Sequence, residues 1–548
     1  MSELNSEAAA PSARPRAGFA VLVAAGILLS RIAGLVRERV FAHYLGNSLA
    51  AGAYKAGLKI PNFLQNLFGE GVLSASFIPV YARLIAQKDE ELAGRVAGVI
   101  VSLLALIVSV IVAVCVVLTP WLIDIIAPGF QGEVRELTIR IVQILFPATG
   151  LLVLSAWCLG VLNSHHKFFL SYVAPVFWNA AMIAALVFFG SRADQNRLAV
   201  LLSWGTVVGS ALQFGIQVPF VWKYAPRIRL SLQTTLQPVR EVVRSFGPVV
   251  IGRGVVQLSG YIDQVIASYL GTAAVAALAY AQTIYFLPIS LFGMSVAAAE
   301  LPQMAGTLGD SEEVHAALRK RLERGLRQIA FFVVPSVAAF IFIGRALVAA
   351  LYQTGQFKDN DTLLVWYILA GSTVGLLAVT LGRLYSSAFY ALRDPKTPLR
   401  FAIVRVCLTA ILGVLFAFPL RPAIVALIGL LGRPIPEFAE GQAVFGAIGL
   451  TASAGLAGWI EFAFLRRALA RRIGSVQIAP VFLVRLWIAA LIAAAAGFAA
   501  DRFLPPFNHI LRAGFIAGAF GIVYLGAAIA LRVEEARATL GRFTRRRR

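Results

Sequence analysis

Charge is scarce in this chain. Only 14% of its 548 residues are Asp, Glu, Lys or Arg, and 59% are hydrophobic. Soluble domains carry about a quarter charged residues, so a soluble globular fold is excluded. Cysteine is nearly absent: Cys115, Cys158 and Cys407 each sit in apolar sequence. Neither a disulfide framework nor a cysteine-rich metal site is implied. The five histidines show no ligand spacing. No G-x-x-x-x-G-K-[ST] phosphate loop, H-E-x-x-H or G-x-S-x-G occurs, and no long polar segment could house a catalytic domain. Alternating apolar and polar runs are missing too, which argues against a β-barrel. The expectation is a protein that is not an enzyme, with no catalytic residue, metal or cofactor.

What the chain does have is long apolar runs. A spanning helix needs about 20 apolar residues. Such stretches recur at 19–41, 49–68, 94–118, 137–161, 169–189, 198–221, 246–270, 273–301, 328–352, 363–391, 400–420, 442–465, 481–500 and 511–531. The fold class is therefore an all-α polytopic membrane protein with about 14 transmembrane helices. The second stretch is the most polar, because Lys55, Lys59, Asn62 and Asn66 dilute it.

Acidic residues are fewer than basic ones, 27 against 49, for a net charge of +22. In a soluble protein that excess would suggest nucleic acid. Here it sits in alternate short loops: Lys223, Arg227, Arg229, Arg240 and Arg244; Arg319, Lys320, Arg321, Arg324 and Arg327; Arg466, Arg467, Arg471 and Arg472; and the tail Arg545 to Arg548. That is the positive-inside pattern. Both termini are expected in the cytoplasm, the span number is even, and no nucleic-acid partner is expected. Phe19 to Val36 is followed by Arg37 and Arg39 rather than a small-residue cleavage site, so it reads as a retained first helix.

Two passages recur. Ala53-Tyr54, Pro61, Leu67-Phe68-Gly69 and Pro79 are echoed by Ala279-Tyr280, Pro288, Leu291-Phe292-Gly293 and Pro302. Leu159 to Asn163 with Lys167 and Pro175 resembles Phe389 to Asp394 with Lys396 and the span from Arg400. Spans two and eight, and four and ten, thus correspond, which implies two six-helix lobes in parallel orientation. The expected organisation is a disordered segment 1–18, a first lobe 19–222, a basic linker 223–245, a second lobe 246–465, two extra helices within 466–531 and a basic tail 532–548. Repeats of this kind place a substrate site at the lobe interface near midplane.

Polar residues inside the spans fall in stripes. Lys55, Lys59, Asn62 and Asn66 share one face at 100° per residue. Arg253, Gln257, Gly260 and Gln264 form a second stripe, with Asp263 beside it. Arg31, Gly34 and Glu38 form a third. A charge at the centre of a span costs roughly 2.5–3.5 kcal/mol on insertion scales, so Arg31 is expected to face a water-filled cavity that handles an anion. Structural readings stand beside this one. Arg31 could pair with an internal acid, and Lys55 and Lys59 could snorkel to an interface. Arg345, Arg383, Arg405 and Glu461 read singly as structural or interfacial, with Arg383 kept as a cavity candidate.

SRIAGLVRER, the Leu58 to Leu84 block, APGF (Ala127 to Phe130) and FYALRDPKTP (Phe389 to Pro398) resemble the lipid II flippase family, MurJ or MviN, along the whole length. The resemblance implies the multidrug/oligosaccharidyl-lipid/polysaccharide exporter fold, with the two extra helices, Pro480 to Ala500 and Leu511 to Leu531, forming a groove for a lipid tail. Arg31 and Arg37 match the family's first-helix arginines, with Glu38 at a usual acid. Lys59, Pro61, Asn62, Glu70 and Gly71 fit the second-helix motif. Three family charges are missing: an acid aligns with Gly52, a basic residue with Gln65, and an acid–arginine pair with Gln282 and Thr283. Arg253 is expected to replace the lost arginine.

The function implied is flipping of lipid-linked peptidoglycan precursor across the bacterial cytoplasmic membrane by alternating access, with membrane lipids and the cell-wall synthesis machinery as partners. Substrate binding is assigned to Arg31, Arg37, Lys59, Arg253 and Gln257. Gating or ion coupling is assigned to Glu38, Lys55, Asn62, Asp263, Gln282 and Arg383, with the membrane potential or a monovalent ion as the energy source. The alternatives are a flippase for another polyprenyl-diphosphate-linked glycan, a membrane glycosyltransferase or polymerase, and a scaffold that no longer transports.

Overall fold

The computed structural model describes residues 17–297, 300, 304, 312–476, 478–505 and 508–545; the side chains of 17–24, 70, 251–259 and 540–545 lie outside the described part. Residues 1–16 and 546–548, which include the expected disordered start and the end of the basic tail, are likewise outside it. Every regular element among the described residues is helical. The first lobe runs α1 (Ala17–Leu45), α2 (Leu49–Phe68), α3 (Glu70–Ala86), α4 (Glu90–Ile126), α5 (Gly132–Ser164), α6 (Phe168–Phe189) and α7 (Gln195–Tyr224). The second runs α8 (Gln237–Ser268), α9 (Thr272–Pro288) with a π-helical turn Ile289–Met294, α10 (Glu312–Phe342), α11 (Gly344–Tyr352), α12 (Asp359–Ala391), α13 (Lys396–Ala417), α14 (Arg421–Leu430) and α15 (Gly446–Ile473). Then come α16 (Pro480–Phe503), α17 (His509–Ala530) and α18 (Glu534–Arg545).

Eleven described helices are long and apolar enough to cross a membrane. The long helices that fall short are α1, α2 and α8, which carry the three polar stripes, and with them the bundle is consistent with fourteen spans. Three sequence expectations shift. The stretch after the second span is a helix of its own, α3, rather than a loop. The stretch 328–352 is two helices, because the chain breaks at Ile343 between α10 and α11, and α10 begins sixteen residues before that stretch. The linker between lobes is shorter than 223–245, since α8 starts at Gln237 behind Pro238. A proline in the first turn of a helix loses no intrahelical bond, which is why the helix starts there.

The two lobes repeat the same packing. In the first, α5 lies along α7 and α2, and α6 along α7. In the second, α12 lies along α15 and α9, and α13 along α15. Lipid is as apolar as leucine, so helices associate through close approach of small residues. Gly375 on α12 and Gly455 on α15 meet backbone to backbone, and a Cβ on either would collide. That crossing buries α12 on nearly all sides, while α4 turns Val110, Val117 and Trp121 outward.

The lobes meet at both ends. At one end the turn between α1 and α2 grips the segment after α11. Gln356 N–H donates to the His43 carbonyl at 2.8 Å, Arg39 reaches the carbonyls of Ala350 and Leu351, and the Tyr280 hydroxyl donates to the Gly46 carbonyl at 2.7 Å. At the other end α3 packs on α8, Arg83 pairs with Glu241 at 2.6 Å, and Phe68 stacks on Phe246. The helices α16 and α17 pack against each other and against α10 and α11.

Candidate functional site

Two cavities flank α2. The first, of about 840 Å³, lies within the first lobe and is lined by Arg37, Gln65, Ser155, Trp178, Gln213 and Gln217 among others. The second, of about 650 Å³, lies between α2 and the second lobe and is lined by Lys59, Asp263, Gln282, Arg383 and Arg405 among others. Asn62 and Asn66 line both. The stripe on α2 is thus a polar wall shared by two chambers. Pro61 sits beside Asn62 inside that helix. A proline cannot donate to the carbonyl four residues back, so the stripe lies where the helix is weakest.

Arg37 is held in place. Its guanidinium donates to Glu38 at 2.6 Å and lies 5.0 Å from the centre of the Trp178 ring. Glu38 is buried and takes a second bond from Lys55 Nζ at 2.5 Å. Lys55 is half-buried beneath the rings of Phe41 and Tyr280, at 4.3 and 5.2 Å. It does not snorkel; it is locked in an ion triad that joins α1 and α2 beside a tyrosine of the second lobe. The triad borders the first cavity through Arg37 alone.

Lys59 faces the second cavity with Asp263 opposite it on α8, and the Tyr261 hydroxyl donates to the Lys59 carbonyl at 2.8 Å. Gln282 and Arg383 line the same chamber. Arg405, one turn before Thr409 on α13, is backed by Glu461 of α15 at 3.3 Å. The structure therefore revises the isolated reading of Arg405 and Glu461: one pairs with the other, and Arg405 joins Arg383 on the cavity wall. The signal was there, since both charges sit inside apolar spans. Gln213 and Gln217, spaced i and i+4 on α7, are a further stripe that sequence reading missed; both donate to Ser155, at 3.0 and 3.1 Å.

Other sequence candidates are placed differently. Arg31 is exposed on α1 between exposed Leu28 and Ile32, lines neither cavity, and has no bonded partner among the described residues. Arg253 and Gln257 lie on α8, but their side chains are outside the described part. Gly52, where the resemblance implies an acid, has no room for a side chain. Gly52 presses against the backbone of Thr272 at the start of α9, and a side chain there would collide with that carbonyl. Gln65 and Gln282, where charges are missing, still line the cavities.

The two chambers together present Arg37, Lys59, Arg383 and Arg405 against the single carboxylate of Asp263. Three lining atoms are buried without a hydrogen-bond partner among the described residues: Asp263 Oδ1, Gln217 Oε1 and Ser171 Oγ. The arrangement suits an anion with several hydrogen-bond acceptors. No group of three metal-binding side chains occurs among the described residues.

A family model described as lipid II flippase MurJ matches residues 41–432. A relative from Rhizobium tropici, named as a probable lipid II flippase MurJ, is 34% identical over 408 residues, covering 73% of this chain and 75% of its own. The lipid II flippase MurJ of Burkholderia cenocepacia is 32% identical, with 72% and 78% covered. A probable lipid II flippase MurJ of Haemophilus influenzae is 28% identical across 91% of this chain and 94% of its own. Among solved structures, a lipid II flippase MurJ in an inward-closed conformation superposes with a TM-score of 0.73 at 22% identity, covering 93% of this chain and 99% of that one. A multidrug resistance MATE family transporter superposes at 0.60 with 19% identity, covering 82% and 98%. Both likenesses are of fold.

Proposed function

This chain belongs to the MurJ lipid II flippase family, and from that premise we propose that it carries lipid II from the inner to the outer leaflet of the cytoplasmic membrane. Both termini lie in the cytoplasm in this reading, so the end where the α1–α2 turn grips the segment after α11 faces outward. The observation that carries the proposal is the basic lining of the two chambers on either side of α2.

An arginine fork matches phosphate oxygens in two parallel bonds. Arg37, pinned between Glu38 and the Trp178 ring, presents such a fork already oriented. Lys59 supplies a compact positive charge across α2. Arg31, exposed on the membrane side of α1, meets the diphosphate before it enters. The polar stripe of α2 bears the sugar and peptide, while the polyprenyl tail stays in the bilayer along α16 and α17. Opening the outer end requires release of the bonds from Arg39, Tyr280 and Gln356. Alternating access then follows from rocking of one lobe on the other.

Moving one elementary charge through 100 mV is worth about 2.3 kcal/mol. An anionic headgroup going outward moves with an inside-negative potential, which drives transport without ATP. Dissipating the potential should stop outward movement; continued flipping at zero potential would remove this energy source.

The proposal is tested by complementation. Wild-type chain should restore growth to a strain depleted of its essential lipid II flippase, and Arg37→Ala, expressed to the same level, should not. Failure of the wild type would redirect the substrate to another polyprenyl-diphosphate-linked glycan.

A further inference from the structure

We propose that the second chamber contains a separate anion subsite, built by Arg383 and Arg405, that holds a second anionic group of the substrate while Arg37 holds the first. The inference rests on the flippase reading and assigns work to residues outside the family's first- and second-helix motifs.

Three observations converge. Arg383 on α12 and Arg405 on α13 line one wall of a 650 Å³ cavity, facing Lys59 on α2. Arg405 is ion-paired through its Nε with Glu461 of α15 at 3.3 Å and still lines the chamber. Arg383 has no carboxylate within ion-pair distance among the described residues. Two guanidinium groups on adjacent helices repel each other, and a charge inside a span is costly. An arrangement that brings them together beside open volume is stabilised by an anion between them. Asp263 is the one acid on the lining, against Lys59, Arg383 and Arg405, so basic groups outnumber acidic ones on the chamber wall.

A lipid-linked muropeptide carries two kinds of anion, the diphosphate next to the lipid and the carboxylates of the peptide. Both present oxygens that a guanidinium fork accepts equally well. The chambers share Asn62 and Asn66, so one headgroup can reach across α2 from Arg37 to the second chamber. Thr409, one turn beyond Arg405, and Thr451 on α15 line the same space and offer hydroxyls to the same group.

The test is equilibrium binding to the full-length protein in detergent, with three probes: lipid II, the same polyprenyl-diphosphate disaccharide without its peptide, and undecaprenyl diphosphate. Arg383→Gln and Arg405→Gln should each weaken lipid II binding by roughly tenfold, the scale of one charge-assisted hydrogen bond. If the peptide-free probe then binds as tightly as to wild type, the anion is a peptide carboxylate. If all three probes weaken alike, it is a phosphate. Both outcomes support the subsite; unchanged affinity of both variants for every probe overturns it. Arg37→Gln is the comparison and should weaken all three. Wild type that binds none of the probes would overturn the flippase reading itself. Arg405→Gln leaves Glu461 unpaired and could unfold the protein, so Arg383→Gln and the double variant Arg405→Gln/Glu461→Gln keep the inference testable.

Discussion

Glu38 illustrates what a single buried charge does in this protein. It is shared by Arg37 and Lys55, and Lys55 has aromatic rings of both lobes over it. Removing one partner of a buried ion pair costs about 3–5 kcal/mol, because the other is left uncompensated. Glu38→Gln should therefore lower the thermal unfolding midpoint in detergent by many degrees, and Glu38→Gln/Lys55→Met should regain most of the loss. No recovery in the double variant would mean the triad is not a unit. Sequence reading placed Glu38 and Lys55 correctly as polar residues of the first two spans but could not join them. Seventeen residues and a turn separate them, and the three-dimensional course of the chain, not a sequence spacing, brings Lys55 Nζ to Glu38 at 2.5 Å. Arg31 went the other way: its cost inside a span was legible, but helical phase alone does not say whether a face looks into a cavity or outward between helices.

At the scale of elements, one stretch that carries the family resemblance holds helices in place. Asp394, within FYALRDPKTP, accepts from the Thr397 N–H at 3.1 Å and the Thr397 hydroxyl at 2.6 Å, and pairs with Arg472 of α15 at 2.6 Å. It closes the start of α13. The Thr397 hydroxyl, with help from Arg472, holds its carboxyl below the ordinary aspartate value. A depressed carboxylate stabilises the fold above its unfolded value, near 3.9, and that contribution fades as pH falls through the folded value. Asp394→Asn should thus cost about 1 kcal/mol at neutral pH, as loss of a helix cap does. Its unfolding midpoint should converge with wild type as the pH drops below about 4. A deficit that persists unchanged at acid pH would point to packing instead. The Gly375–Gly455 crossing makes a second prediction: Gly455→Leu should force α12 and α15 apart and abolish recovery of folded protein on gel filtration. The same reasoning explains Gly52. Gly52→Asp should destabilise this chain because Thr272 occupies the space.

Across the whole molecule, the sequence carried most of the architecture. Apolar runs marked the spans, and α12 packs on α15 as α5 packs on α7. The break at Ile343 and the helix α3 escaped it, since a short amphipathic helix and a kinked span have no length signal. The site was half legible. Stripes on α2 announced the polar wall, but the second chamber depends on Arg383, Arg405 and Glu461 from three helices, and no spacing rule links charges that far apart in the chain. The account stands on one claim, that basic side chains lining the two chambers beside α2 carry an anionic lipid headgroup outward. Its most direct measurement is the amount of lipid II exposed at the outer surface of cells depleted of their own flippase, read by an externally added lipid II-cleaving enzyme. Cells expressing this chain should show cleavage at the level of undepleted cells, and cells expressing equal amounts of Arg37→Ala should show the depleted level. Cleavage restored equally by both would contradict the claim.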